Sequence, residues 1–180
     1  MTELALHILD IVQNSIVAKA SLIEININED INSDSLTIEI TDNGKGMSED
    51  QVKRATDPYF TSRTTRKVGM GLSLFKQATE ICAGTFTLES KPGIGTKVTS
   101  VMQYSHIDRQ PLGDIAGTIA LLVSSNPDID FIYKYITNKG DYILDTKAIK
   151  EELDDVSITN PKVIKFIREM IQENLKEITN

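Results

Sequence analysis

At 180 residues the chain has room for one domain with an annex, which excludes multi-domain machinery. Hydrophobic residues make up 40% and charged residues 25%, values that exclude the low-hydropathy, high-charge profile of a disordered chain. A net charge of -7, from 26 acids against 19 bases, argues against nucleic acid as the main partner.

The longest strongly apolar run, Ile119 to Val123, falls far short of the ~20 residues that span a bilayer, and Met1-Thr2-Glu3 opens without a basic leader. The reading is therefore a chain that neither crosses a membrane nor is exported. Cys82 is a lone cysteine and there are two histidines, so neither an internal disulfide nor a zinc-ligand spacing is available and the expected compartment is the cytoplasm.

In chain order, Leu4 to Ala18 places Leu4, Ile8, Ile11, Val12 and Ile16 on one helical stripe, with Glu3, His7, Asp10 and Asn14 on the opposite side. Ile23, Ile25 and Ile27, then Leu36, Ile38 and Ile40, alternate with polar residues and predict a hairpin of half-buried strands. After Asp42-Asn43-Gly44-Lys45-Gly46, Ser48 and Gln51 form a capping-box signature for a short helix to about Ala55. Asp57 to Val68 has no periodicity and reads as a loop; a helix is predicted from Gly71 to Ala83. Phe86 and Leu88 mark a strand, Lys91-Pro92-Gly93-Ile94-Gly95 a turn, and Thr96 to Gln103 a returning strand. This order predicts an α+β fold, a two-layer sandwich with a sheet on one side and helices on the other.

The expected division is a first domain over 1–104 and an α/β extension over 105–180 packed upon it. The extension reads as a helix from Leu112 to Ser124, strands over Ile129 to Ile136 and Asp141 to Leu144, then helices. In the last helix Asn160-Pro161 supplies an N-cap and a first-turn proline. No motif in the extension identifies a role, and a dimer interface, a partner dock and a structural cover all stay open.

Six of the ten glycines form Gly-x-Gly pairs: Gly44/Gly46, Gly69/Gly71 and Gly93/Gly95. Such pairs persist where φ is positive or where backbone must approach a ligand, although turn punctuation serves equally for Gly93/Gly95. The phosphate-loop pattern Gly-x-x-x-x-Gly-Lys-Ser/Thr is absent, and Gly69-Met70-Gly71 lacks the third glycine and preceding strand of a dinucleotide fingerprint. Asp10 and Asn14, one helical turn apart, could orient a water and ligate Mg²⁺, though on a solvent-facing helix such a pair more often serves solubility. Between Gln51 and Met70 lie five basic residues, Lys53, Arg54, Arg63, Arg66 and Lys67, against one acid, Asp57; a small anion suits such a segment, and an exposed basic loop without a ligand is the alternative.

Five segments taken together resemble the N, G1, F, G2 and G3 boxes of the GHKL ATPases, the superfamily of gyrase, the heat-shock-90 chaperones, histidine kinases and MutL. They are Asp10-Ile11-Val12-Gln13-Asn14-Ser15-Ile16-Val17-Ala18, Asp42-Asn43-Gly44-Lys45-Gly46-Met47, Asp57-Pro58-Tyr59-Phe60-Thr61-Ser62-Arg63, Gly69-Met70-Gly71-Leu72-Ser73-Leu74 and Gly93-Ile94-Gly95-Thr96, and the resemblance runs from Leu4 to Gln103. From Asp57 onward it is to sensor histidine kinases, whereas the Asn14-Ser15 helix is more like MutL.

The resemblance implies the Bergerat ATP-binding fold, a mixed sheet with helices on one face, and ATP with Mg²⁺ as ligands. It implies that Asn14 ligates Mg²⁺, Asp42 accepts from the adenine amine, and Gly44 and Gly46 let the chain pass close to the base, with Met47 among the nucleotide-binding residues. It further implies that Gly69, Met70, Gly71 and Leu72 offer backbone N–H groups to the phosphates, with Thr96 closing the adenine pocket. The basic segment between the F and G2 boxes agrees, and makes Arg63, Arg66 and Lys67 candidates for γ-phosphate contacts. Asp10 stands where hydrolysing relatives carry a glutamate, so slow or absent hydrolysis is expected. His7 reads as a helix-surface residue or one standing behind the site. The function this implies is phosphate transfer to, or switching of, a separate protein. A slow ATPase and a nucleotide-binding regulatory module are the alternatives, and a homodimer through the extension is left open.

Overall fold

The computed structural model describes residues 2–57, 59 and 70–179. Arg63, Arg66, Lys67 and Gly69 of the expected site lie outside them. The elements run α1 (Leu4–Val17), β1 (Leu22–Asp30), β2 (Ser35–Asp42), α2 (Glu49–Ala55), α3 (Gly71–Ile81), β3 (Thr85–Lys91), β4 (Gly95–Gln103), α4 (Ile115–Ser125), β5 (Asp130–Thr137), β6 (Gly140–Asp145), α5 (Thr146–Leu153) and α6 (Pro161–Thr179).

The strands form one sheet in the order β3-β4-β2-β1-β5-β6. Every neighbouring pair is antiparallel except β1 and β5, which run parallel, so the sheet is mixed. Strand side chains alternate between faces. One face therefore carries Ile23, Ile25, Ile27, Leu36, Ile38, Ile40, Val98, Met102, Phe131, Tyr133 and Tyr135, all buried beneath helices. The other carries Glu24, Asn26, Glu39, Thr41, Lys97 and Thr99, half-buried and polar, with Lys97 paired to Glu39 at 2.9 Å. This is the two-layer α+β sandwich that the alternation predicts.

Helix α1 buries Leu4, Ala5, Ile8, Ile11 and Val12. It has no side-chain N-cap; instead Leu4 N–H donates to the Pro111 carbonyl and Ala5 N–H to the Leu112 carbonyl, both at 2.9 Å, satisfying two of the donors a helix start leaves open. Its polar side is not solvent-facing throughout: His7 is 2% exposed and stacks on Phe75 of α3. The surface placement read for His7 is thus replaced by burial between helices, because α3 returns across that side of α1.

The capping box opens α2 as the sequence reads, Ser48 accepting from Gln51 N and Gln51 reaching back to Ser48 N. Helix α4 begins at Ile115 rather than Leu112, since Asp114 caps it through Gly117 N and Gly113, at φ 79°, turns the chain just before.

Candidate nucleotide-binding site

The site is built where α1, the end of β2 and the start of β4 meet. Asn14 and Ser15 project from the last turns of α1, Asp42 ends β2, and Thr96 lies opposite Asp42 in the β2–β4 register. A cavity of about 440 Å³ between them is lined by Ile11, Asn14, Ser15, Val17, Ala18, Ile40, Asp42, Lys45, Gly46, Met47, Gln51, Arg54, Ala55, Leu72, Thr96 and Val98. That size suits a nucleotide, and its apolar walls with a few fixed polar groups are the usual character of small-ligand sites. A more open groove of about 760 Å³ shares Asp42 and Thr96 with this cavity but is otherwise lined by Glu24, Glu89, Lys91, Lys97 and their neighbours, and does not include Asn14 or Leu72. The smaller cavity therefore gathers the candidate residues.

Asp42 is its fixed polar centre. The carboxylate is 8% exposed; Oδ2 accepts from Ser15 Oγ at 2.6 Å and Oδ1 from Gly44 N at 2.8 Å. Each oxygen keeps lone-pair capacity for a further donor. Ser15 lies within the first box of the resemblance, yet its role as the donor that holds Asp42 carries no signal in one dimension, since the two are 27 residues apart.

The glycine segment after β2 is stitched in place from both sides. Lys45 N donates to Ala18 O at 2.9 Å, Gly93 N to Lys45 O at 2.7 Å, and Met47 N to Ser90 Oγ at 2.8 Å. Ser90 Oγ also bonds Thr96 Oγ1 at 2.8 Å, which orients the Thr96 side chain at the cavity wall. Gly46 has φ 68°, and a Cβ there would fall 1.9 Å from Lys91 O, so only glycine lets this segment lie against the β3–β4 turn.

At the other end, α3 starts at Gly71 after Met70, with no side-chain cap on its first N–H groups. Leu72 lines the cavity, while Gly71 faces Asp10: a Cβ at 71 would come within 3.1 Å of Asp10 Cβ. Asn14, Asp42, Gly46, Met47, Leu72 and Thr96 thus line one cavity, Gly44 holds Asp42 through its N–H, and Asp10, Met70 and Gly71 are not among the lining residues. Among the described residues no cluster of three or more His, Cys, Asp or Glu could hold a metal. No helix among them is long and apolar enough to cross a membrane.

Residues 2–106 match the family of histidine kinase-, DNA gyrase B- and HSP90-like ATPases, and the chain belongs to that family. Among curated relatives, the sensor protein DegM of Bacillus sp. (strain B21-2) is 37% identical over 91 residues, 51% of this chain and 24% of that one. The sensor histidine kinase YxdK of Bacillus subtilis is 34% identical over 84 residues, 44% of this chain and 25% of that one. The chain thus spans about a quarter of the length of these relatives. The MutL ATPase domain of Aquifex aeolicus, solved in complex with ADP, has the same fold: TM-score 0.51 and 15% identity, over 86% of this chain and 68% of that one.

Proposed function

We propose that the chain binds ATP with magnesium in this cavity and acts on a separate protein, either by passing the γ-phosphoryl group to it or by switching it through the bound nucleotide. The observation that carries the reading is Asp42, fixed by Ser15 and Gly44 and lining, with Asn14, a nucleotide-sized cavity. A carboxylate held in this way accepts from an exocyclic amine, which adenine supplies.

In this reading Gly44, Gly46 and Met47 border the base and Thr96 closes its edge. The uncapped start of α3, at Met70, Gly71 and Leu72, offers N–H groups and a favourable dipole to the phosphates, and Gly69 is assigned to the same role. Arg63 and Lys67 supply positive charge near the γ-phosphate. The donor set fits magnesium: Asn14 offers one amide oxygen, which suits an ion that takes its remaining ligands from phosphate and water. Bound there, magnesium would offset phosphate charge.

Asp10, one turn before Asn14, is the candidate general base. Gly71 packs against its side chain and it does not line the cavity, which favours slow turnover and a switch as the second reading. The proposed setting is the cytoplasm.

The test follows γ-labelled ATP with the full chain and lysate of the source organism. Label on a protein supports phosphate transfer, acid-labile label meaning phosphohistidine and acid-stable label serine or threonine; free phosphate supports the ATPase switch. Calorimetry that detects no heat at millimolar ATP with magnesium, on folded protein, overturns the reading.

A further inference from the structure

Among the buried polar side chains that the site as described does not use, His7 is the one that carries an ionisable imidazole ring. Its ring is 2% exposed and stacks on Phe75, with centroids 5.3 Å apart and planes 22° from parallel. Gln110 Oε1 lies 3.0 Å from Nε2, so Nε2 carries the proton and donates; Nδ1 is then a buried lone pair without a partner among the described residues. Burial lowers the imidazole pKa below its ordinary value, which keeps the ring neutral.

The helix register gives this placement its meaning. Gly71 packs on Asp10; Phe75, one turn later on α3, packs on His7, one turn earlier on α1. Two successive layers thus join α1 to α3, one at the phosphate end of the cavity and one just behind it. A phenylalanine at position 7 would fill the same space without an unpaired nitrogen. What histidine adds is the Nε2–H bond to Gln110, which fixes the plane on which Phe75 rests.

Gln110 belongs to the strap that crosses the start of α1. The strap is braced by Arg109, whose guanidinium covers the Tyr104 ring at 4.7 Å, and by the Pro111 and Leu112 carbonyls on α1. It leads from β4 into the C-terminal segment.

We propose that His7 is a positioning residue: pinned by Gln110, it sets the depth of α3 on α1 and so the presentation of the α3 start to the nucleotide phosphates. The proposal rests on the ATP reading of the same cavity. It acts on the phosphate end alone, since the base end is held by Ser15, Gly44 and Asp42.

The experiment compares ATP and adenosine affinity by calorimetry for the parent chain, His7→Phe, Gln110→Ala, Gln110→Glu and the double variant His7→Phe/Gln110→Ala, with thermal unfolding as the check on folding. Loss of one positioning hydrogen bond is expected to weaken ATP about tenfold in His7→Phe and in Gln110→Ala while adenosine changes less than about twofold. The double variant should be no weaker than either single one, and Gln110→Glu, which keeps an acceptor, should bind like the parent. Unchanged ATP affinity in folded Gln110→Ala overturns the proposal, as do equal losses for ATP and adenosine, additive losses in the double variant, or a loss in Gln110→Glu as large as in Gln110→Ala. A parent chain that binds no nucleotide overturns the ATP reading itself and this proposal with it, an outcome distinct from a binding parent with indifferent variants.

Discussion

Ser15 and Asp42 make the shortest buried side-chain contact of the cavity, and its energetics are lopsided. The hydroxyl lost in Ser15→Ala is small, but the carboxylate oxygen left behind stays buried and short of a donor, so the expected loss is about 1–3 kcal/mol of stability. Urea unfolding should show a lower midpoint at unchanged slope. His7 gives a pH signature of the opposite origin. Its pKa is lowered from 6.5 chiefly by burial, so as pH falls through 6.5 the unfolded chain takes up the proton before the folded one does. Stability should therefore decline below that pH, in a window above the one in which the lowered carboxyls of Asp30 and Asp34 act, and the His7→Phe chain should lack this limb.

At the scale of elements, the β3–β4 turn shows why paired glycines need not share a cause. Gly93 has φ 75° with nothing near its missing side chain, whereas at Gly95, φ 138°, a Cβ would sit 1.9 Å from Asp42 O. Gly93→Ala should cost about 1–2 kcal/mol, the ordinary penalty of a left-handed residue, and leave the site intact. Gly95→Ala must push β4 off the end of β2, at the residue that faces the cavity, and should abolish cooperative folding or nucleotide binding. The sequence reading leaves this pair divided between turn punctuation and close approach, and one glycine falls on each side.

The same scale separates what one dimension encodes. Alternation of Ile23, Ile25 and Ile27 and the Ser48/Gln51 spacing are local, so strands and cap are legible. Ser15 on Asp42 and His7 on Phe75 pair residues far apart in sequence, and no local periodicity distinguishes a polar residue covered by another helix from one facing water.

For the whole molecule the question is what the C-terminal segment supplies to a pocket made entirely by the first hundred residues. The family match ends at 106, yet β1 is not an edge strand here: β5 pairs with it in parallel from Leu22↔Asp130 to Glu29↔Thr137. Over that edge α4 packs against α1 and buries Ile115, Ile119, Leu122 and Val123, while the strap carbonyls complete the start of α1. Removing 105–180 would expose a nine-residue strand with unpaired N–H and C=O groups and uncover one flank of the helix that carries Asp10 and Asn14. Chain 1–104 is accordingly expected to aggregate, or to retain helical and sheet signal while losing its cooperative transition and its nucleotide affinity. A soluble 1–104 fragment that unfolds in one step and binds ATP like the full chain would show that the segment serves another purpose than completing the sheet.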